Sequence, residues 1–136
     1  MGCEEHQTLA RMNMTNADLN AKIEEFVKAA DEVSAAHWAR QGFTFAKSPL
    51  HRADYISSKW VRVVTLDVPH EGEPEVSSVY AFIALQDGHT KTLGTLKAGD
   101  IHKPAGFKAP AKHARGNVFN DDFRKTIMPN GIVYLK

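Results

Sequence analysis

The chain has 136 residues, with 17 basic against 16 acidic side chains, seven histidines and one cysteine. That length suits one domain and is enough to bury a core without covalent staples. The near-neutral balance gives no general drive towards nucleic acid or a membrane surface. Cys3 alone builds neither an intrachain disulfide nor a multi-cysteine zinc site, so a cytoplasmic location is expected.

No apolar run approaches the roughly 18 residues of a membrane span, and the N-terminus has no apolar stretch of the signal-peptide kind. Met1-Gly-Cys3 opens like a myristoylation signal, but His6 stands where that pattern needs Ser or Thr. Residues 1–14 are expected to form a flexible tail and residues 15–136 a single α+β domain. Charge is unevenly spread. The first 32 residues carry seven acidic and three basic side chains, whereas Gly99 to Asn120 carries Lys103, Lys108, Lys112 and Arg115 against Asp100.

The first predicted element is a helix. Thr15 or Asn16 suits its N-cap, with Asp18 well placed in the first turn. Leu19, Ile23, Phe26, Ala30, Val33 and His37 recur at steps of three and four and form one face. Lys22, Glu25, Lys28 and Glu32 form the other, and Gly42 suits the C′ position. Such a helix covers a sheet or pairs with a copy of itself.

After Gly42 the period shortens. Phe43-Thr-Phe45 is a short strand signal, and Ser48 to Asp54 has the chemistry of a turn. Trp60 to Val68 is the clearest strand, rich in β-branched residues. Pro69 to Glu75 is an acidic loop, and Val76 to Leu85 is a second long strand. Asp87-Gly88 is the expected tip of a hairpin that returns through Lys91 to Leu96. Lys97 to Asp100 turns the chain into Ile101. Pro129-Asn-Gly131 leads to a closing strand over Ile132 to Leu135. One helix followed by hairpin-linked strands predicts an α+β fold, a long N-terminal helix on an antiparallel sheet of four to five strands.

The segment Gly99 to Asn120 carries the candidate chemistry. Three glycines and four alanines let a ligand approach its backbone, while Pro104 and Pro110 stiffen it. Phe107 offers a ring to stack on a base. Lys108, Lys112 and Arg115 share a face if Ala109 to Arg115 makes one or two helical turns. Arg115 has the bidentate fork that suits phosphate, and Asn117 suits a base edge or a ribose hydroxyl. Lys103 and, from the Trp60 to Val68 strand, Arg62 complete the expected ligand-binding set. The plainer alternative is a solvated basic loop.

The run Gly99 to Val118 resembles a recurring motif of small phage-encoded proteins. Trp60-Val-Arg-Val63 and Ser78-Val-Tyr-Ala-Phe82 are similar to that family's two preceding strands, and Tyr134-Leu-Lys136 to its end. The resemblance implies a phage origin more directly than an activity. One branch it resembles is the Thoeris anti-defence signal-sponge family, small oligomeric proteins that sequester cyclic ADP-ribose isomers. By that similarity Phe107 would stack, Asn117 would make a polar contact and Arg115 would hold phosphate. Where that family has further arginines near its end, this chain offers Arg124 and Lys136.

The other constellations are weak. Asp100 and His102 make the best acid/base pair, and His113 is a third group that can join them, but no spacing marks a metal site. Asp121-Asp122 lacks a magnesium motif and is expected to cap a turn or pair with Arg124. Trp38 and Trp60 are expected to pack in a core or interface. The leading expectation is therefore a non-catalytic homo-oligomer, a dimer or larger, without cofactor or metal. It would sequester a nucleotide-derived anion of the cyclic ADP-ribose or cyclic oligonucleotide type in the host cytoplasm. The alternatives are an inhibitor that contacts a host enzyme through the acidic helix, and a nucleic-acid binder, which the net charge disfavours.

Overall fold

The computed structural model describes residues 3–42, 47–69, 71–129 and 131–132, with side chains of the first helix from Ala17 onward. Helix α1 spans Cys3–Gln41, so it starts well upstream of Thr15 and Asn16. Gly42 follows it at φ 72°, the left-handed C′ conformation that favours glycine. Leu19, Ile23, Phe26 and Ala30 are buried as their spacing predicts, and Val27 and Ala29 join them. Glu25, Lys28 and Glu32 stay exposed on the far side.

Five strands make one antiparallel sheet: β1 (Leu50–Tyr55), β2 (Trp60–Asp67), β3 (Glu75–Ala84), β6 (Asp100–Pro104) and β7 (Pro110–Asn117), in the order β1-β2-β3-β6-β7. β4 (Gly88–Thr90) and β5 (Gly94–Leu96) form a separate two-stranded ribbon. A short 3₁₀ helix (Phe123–Thr126) leads into a last small hairpin, β8 (Ile127–Met128) with β9 (Gly131–Ile132). The helix packs on one face of the sheet, so the expected α+β architecture holds and the helix covers the sheet of its own chain.

Register decides which side chains face the helix. Ala53 pairs with Val63, Val61 with Ile83, and Ile83 with Ile101. All of these meet Ile23, Phe26 and Ala30 in the main core, joined from the chain's end by Val118, Phe123, Ile127 and Ile132. Burying side chains of this kind stabilises the fold by about 1.5–3 kcal/mol each. A bulge in the β2–β3 pairing leaves Tyr80 opposite no residue of β2, and its ring enters this core. The Tyr80 ring lies edge-on to Phe26 at 6.0 Å and to His51 at 4.6 Å. Its hydroxyl donates to Met128 O at 2.6 Å, which fastens the last hairpin to the sheet.

The intervening residues point to the other face. Trp60, Arg62, Val64 and Leu66 of β2 alternate with the helix-facing set, as do Phe82 and Ala84 of β3 and His102 of β6. Val64, Leu66, Phe82, Ala84 and His102 are buried although the helix does not cover them. The sheet therefore has a second, smaller apolar layer.

Four local expectations are corrected by this topology. Ser48 to Asp54 is not mainly a turn, because Leu50 onward pairs with β2 in continuous register. Asp87-Gly88 is not a hairpin tip: Gly88 begins β4, and the turn falls between Thr90 and Gly94. There Gly94 takes φ 76° and Thr90 Oγ1 accepts from Leu93 N at 2.8 Å. Lys91 to Leu96 does not form the third strand of the main sheet; β6 takes that place beside β3. Finally, Ala109 to Arg115 is extended rather than helical. Its alanines, lysine and arginine favour a helix in isolation, but pairing with β6 outweighs that propensity. Phe43 to Phe45 and Val133 to Leu135 lie outside the described residues.

Candidate functional site

The segment singled out by sequence is a β-hairpin, β6–β7, at one edge of the sheet. Its base is locked by glycine and asparagine. Gly99 sits at φ 90°, and a Cβ there would come within 2.8 Å of Asn117 Oδ1 and 3.0 Å of the Phe119 ring. Gly99 N donates to Ala84 O at 2.7 Å, and Val118 N donates to Gly99 O at 3.0 Å. The Asn117 amide donates to Ala98 O and Asp100 Oδ1, both at 3.0 Å, and accepts from Phe119 N at 2.8 Å. Both ends of that amide are thus used inside the protein. Asp100 closes the same turn by accepting from Lys97 N at 2.9 Å.

At the far end of the hairpin, Ala105 N and Gly106 N both donate to Ala109 O, at 2.9 and 3.3 Å. The turn they close carries Phe107 over the sheet face opposite the helix. Arg62 Nη1 donates to Phe107 O at 3.2 Å, and the Arg62 guanidinium carbon lies 4.3 Å from the centre of the Phe107 ring. The ring is still 52% exposed. Arg62 Nε is buried and has no hydrogen-bond partner among the described residues.

Arg62 belongs to a cross-strand row. It pairs with Asp54 on β1 and Phe82 on β3, Phe82 pairs with His102 on β6, and His102 pairs with Ala114 on β7. Trp60 stands edge-on to Phe82 at 6.3 Å and to His102 at 5.3 Å. His102 is 1% exposed, and its Nδ1 donates to Ala111 O at 2.8 Å. A carbonyl only accepts, so Nδ1 carries the proton and Nε2 of the neutral ring is left as an acceptor. That Nε2 is buried without a partner among the described residues. Burial holds the imidazole below its ordinary pKa and outweighs the opposing pull of the Ala111 carbonyl and Asp100.

The other expected residues are dispersed. Lys108 and Lys112 are exposed on the hairpin, and Arg115 is half-buried further along β7. Lys103 points to the helix side, where its Nζ donates to Ile132 O at 3.0 Å. The structure therefore brings Arg62 and Phe107 together, sets Lys108 and Lys112 nearby on the hairpin, and puts Lys103 on the opposite face. Asp100 and His102, the best acid/base pair by sequence, make their side-chain hydrogen bonds elsewhere. Arg124 reaches Glu32 on α1 at 3.5 Å rather than Asp121 or Asp122. Trp60, Phe82 and His102 are additions to the site. The alternation of Trp60 and Arg62 along β2 was a signal, but it becomes usable only once β6 is known to lie beside β3.

Two cavities lie near the two ends of β2. One of about 250 Å³ lies beside Trp60, with Lys59, His89, Thr90 and Leu96 in its lining. The other, about 580 Å³, opens at the Asp67 end of β2 among Trp38, Asp67, Glu71, Glu73 and Glu75. Its carboxylates repel an anion. Among the described residues, no three histidine, cysteine or acidic side chains gather in a way that holds a metal ion. No described helix is long and apolar enough to cross a membrane.

The fold and this surface define an α+β protein with a basic hairpin at one edge of its sheet, its Phe107 turn reaching over one face. The chain belongs to a family of unknown function, DUF7717, which it matches over residues 7–131. No curated protein and no solved structure matches it significantly.

Proposed function

We propose that this protein is a non-catalytic binding protein for a small nucleotide-derived anion, with the β6–β7 hairpin and the adjoining sheet face as its binding surface. The observation that carries this reading is the Arg62–Phe107 pair. A guanidinium stacked on a half-exposed ring, with Nε buried and unpartnered, has the components needed to hold an acid group beside a flat base. Lys108 and Lys112 add a positive field at the rim. The motif resemblance supplies the biological setting: an oligomeric phage protein that sequesters a cyclic ADP-ribose-type or cyclic oligonucleotide signal in the host cytoplasm.

The test is calorimetry of the purified protein against cyclic ADP-ribose isomers and cyclic dinucleotides, followed by heat release and mass analysis of the ligand. Saturable binding with the ligand returned intact is the expected result. Absence of binding across both ligand classes, or return of a converted product, overturns the reading.

A further inference from the structure

We infer that the ligand seat lies beneath the Phe107 turn and spans the row Arg62–Phe82–His102, so that one ligand meets the Arg62 guanidinium at one end and His102 Nε2 at the other. This rests on the proposed nucleotide-binding reading and names the anchors outside the hairpin. The first ground is hydrogen-bond accounting. Native proteins rarely leave buried polar atoms unpaired. Here two such atoms lie on the same sheet face, in the same cross-strand row: a donor on Arg62 and an acceptor on His102. They are complementary in kind. Arg62 calls for a phosphate or carboxylate, and His102 calls for an N–H or O–H.

The second ground is spacing. Arg62 and His102 sit on strands separated by β3, so their backbones are about 10 Å apart, twice the interstrand distance. A lone phosphate or a simple carboxylic acid satisfies one anchor only. A nucleotide carries an anion at one end and a base edge or ribose with N–H or O–H donors at the other. Phe82 forms the floor between the anchors, and Trp60 forms a side wall.

The third ground is the cover. The polar and ring contacts of Phe107 among the described residues are both made with Arg62. A ligand acid that takes Arg62 therefore replaces the bonds that hold the turn down. A Cβ on Gly106 would meet nothing within 4 Å, so the turn has space around it.

The experiment titrates the full chain with 5′-AMP and with cyclic ADP-ribose. Calorimetry gives the affinity, and ¹⁵N correlation spectra of the histidine rings report Nε2 of His102. The expected result is saturable binding, a shift of His102 Nε2 on titration, and weakening by roughly ten- to a hundredfold in Arg62→Gln, the loss of a charged hydrogen bond. Ribose 5-phosphate, which lacks the base, should bind through Arg62 and leave His102 Nε2 unmoved if the base edge is the donor. Melting curves check that Arg62→Gln folds. The His102 spectrum is taken on the unmodified protein, so it is independent of any folding defect. Binding of either nucleotide with His102 Nε2 unmoved, or with Arg62→Gln unaffected, overturns this seat and leaves the general reading standing. Failure of both nucleotides to bind overturns the seat, while the wider ligand panel decides the reading itself.

Discussion

Two histidines show how burial sets charge at single residues. His51 Nδ1 donates to Asp31 Oδ1 at 2.8 Å, and this pairing favours the protonated ring. Burial of the ring against Tyr80 is the larger effect, and it holds the pKa of His51 below 6.5. His102 is lowered in the same way. Both rings therefore take up protons at lower pH in the folded chain than in the unfolded one, which does so as pH falls through about 6.5. The stability they contribute is complete above that pH and is lost progressively below it. The slope is about 1.4 kcal/mol per pH unit for each histidine, until the folded pKa is reached. Urea midpoints measured between pH 7.5 and pH 5 should fall accordingly, and His102→Phe should flatten the decline. A midpoint that stays constant over that range contradicts the assignment.

Gly99 gives a second prediction at the same scale. Its φ of 90° and the crowding by Asn117, Phe119 and Val118 leave no room for a side chain. Gly99→Ala should cost on the order of 1–3 kcal/mol through backbone strain alone, read as a lowered thermal midpoint. Gly106 meets nothing and has no such φ, so Gly106→Ala is expected to leave the midpoint within about 0.5 kcal/mol, as surface substitutions usually do.

Elements follow less directly from local chemistry. Helix α1 was legible because its apolar positions repeat at the helix period, and strands β2 and β3 because β-branched and apolar residues run through each of them. The β6–β7 hairpin was not. Ala111, Lys112, Ala114 and Arg115 suit a helix, and only the neighbouring β6 supplies the hydrogen bonds that keep them extended. Gly116 records that constraint, since a Cβ there would lie 2.6 Å from Thr126 Cγ2. The last hairpin is fastened at Met128 by a side-chain bond from the bulged Tyr80 and at Ile132 by one from Lys103. Tyr80→Phe should destabilise the protein by about 1 kcal/mol, the net worth of one hydrogen bond, with extra loss if Met128 O is left unpaired. Hydrogen exchange should show that loss concentrated in Ile127 to Ile132. Uniform loss across the sheet would mean that the hydroxyl does not act as a local fastener.

On the scale of the molecule, the two faces of the sheet separate the main core from the proposed binding surface. The helix-side core holds Phe26 and Ile23 fully buried against the central strands. Phe26→Ala should therefore cost about 3–5 kcal/mol, by lost burial and the cavity left behind. Phe107→Ala removes a half-exposed ring from the opposite face and should cost less than about 1 kcal/mol of stability. It should nevertheless weaken nucleotide binding, because the stacked ring is lost. Denaturation and calorimetry on the two variants separate these effects. A Phe107→Ala protein that binds the nucleotide unchanged argues against stacking at this turn.

The sequence by itself determined the α+β class, the helix with its buried face and the two long strands, because each rests on periodicity or residue type within one segment. It also located the basic segment Gly99 to Asn120 and gave Phe107 a stacking role as an expectation. Only the tertiary structure decided that β6 lies beside β3, that Lys103 faces the helix side, and that Asn117 is consumed in closing a turn. It alone aligned Arg62 with His102. Those two residues are 40 positions apart in the chain, and what relates them is strand order and register, which no local pattern encodes.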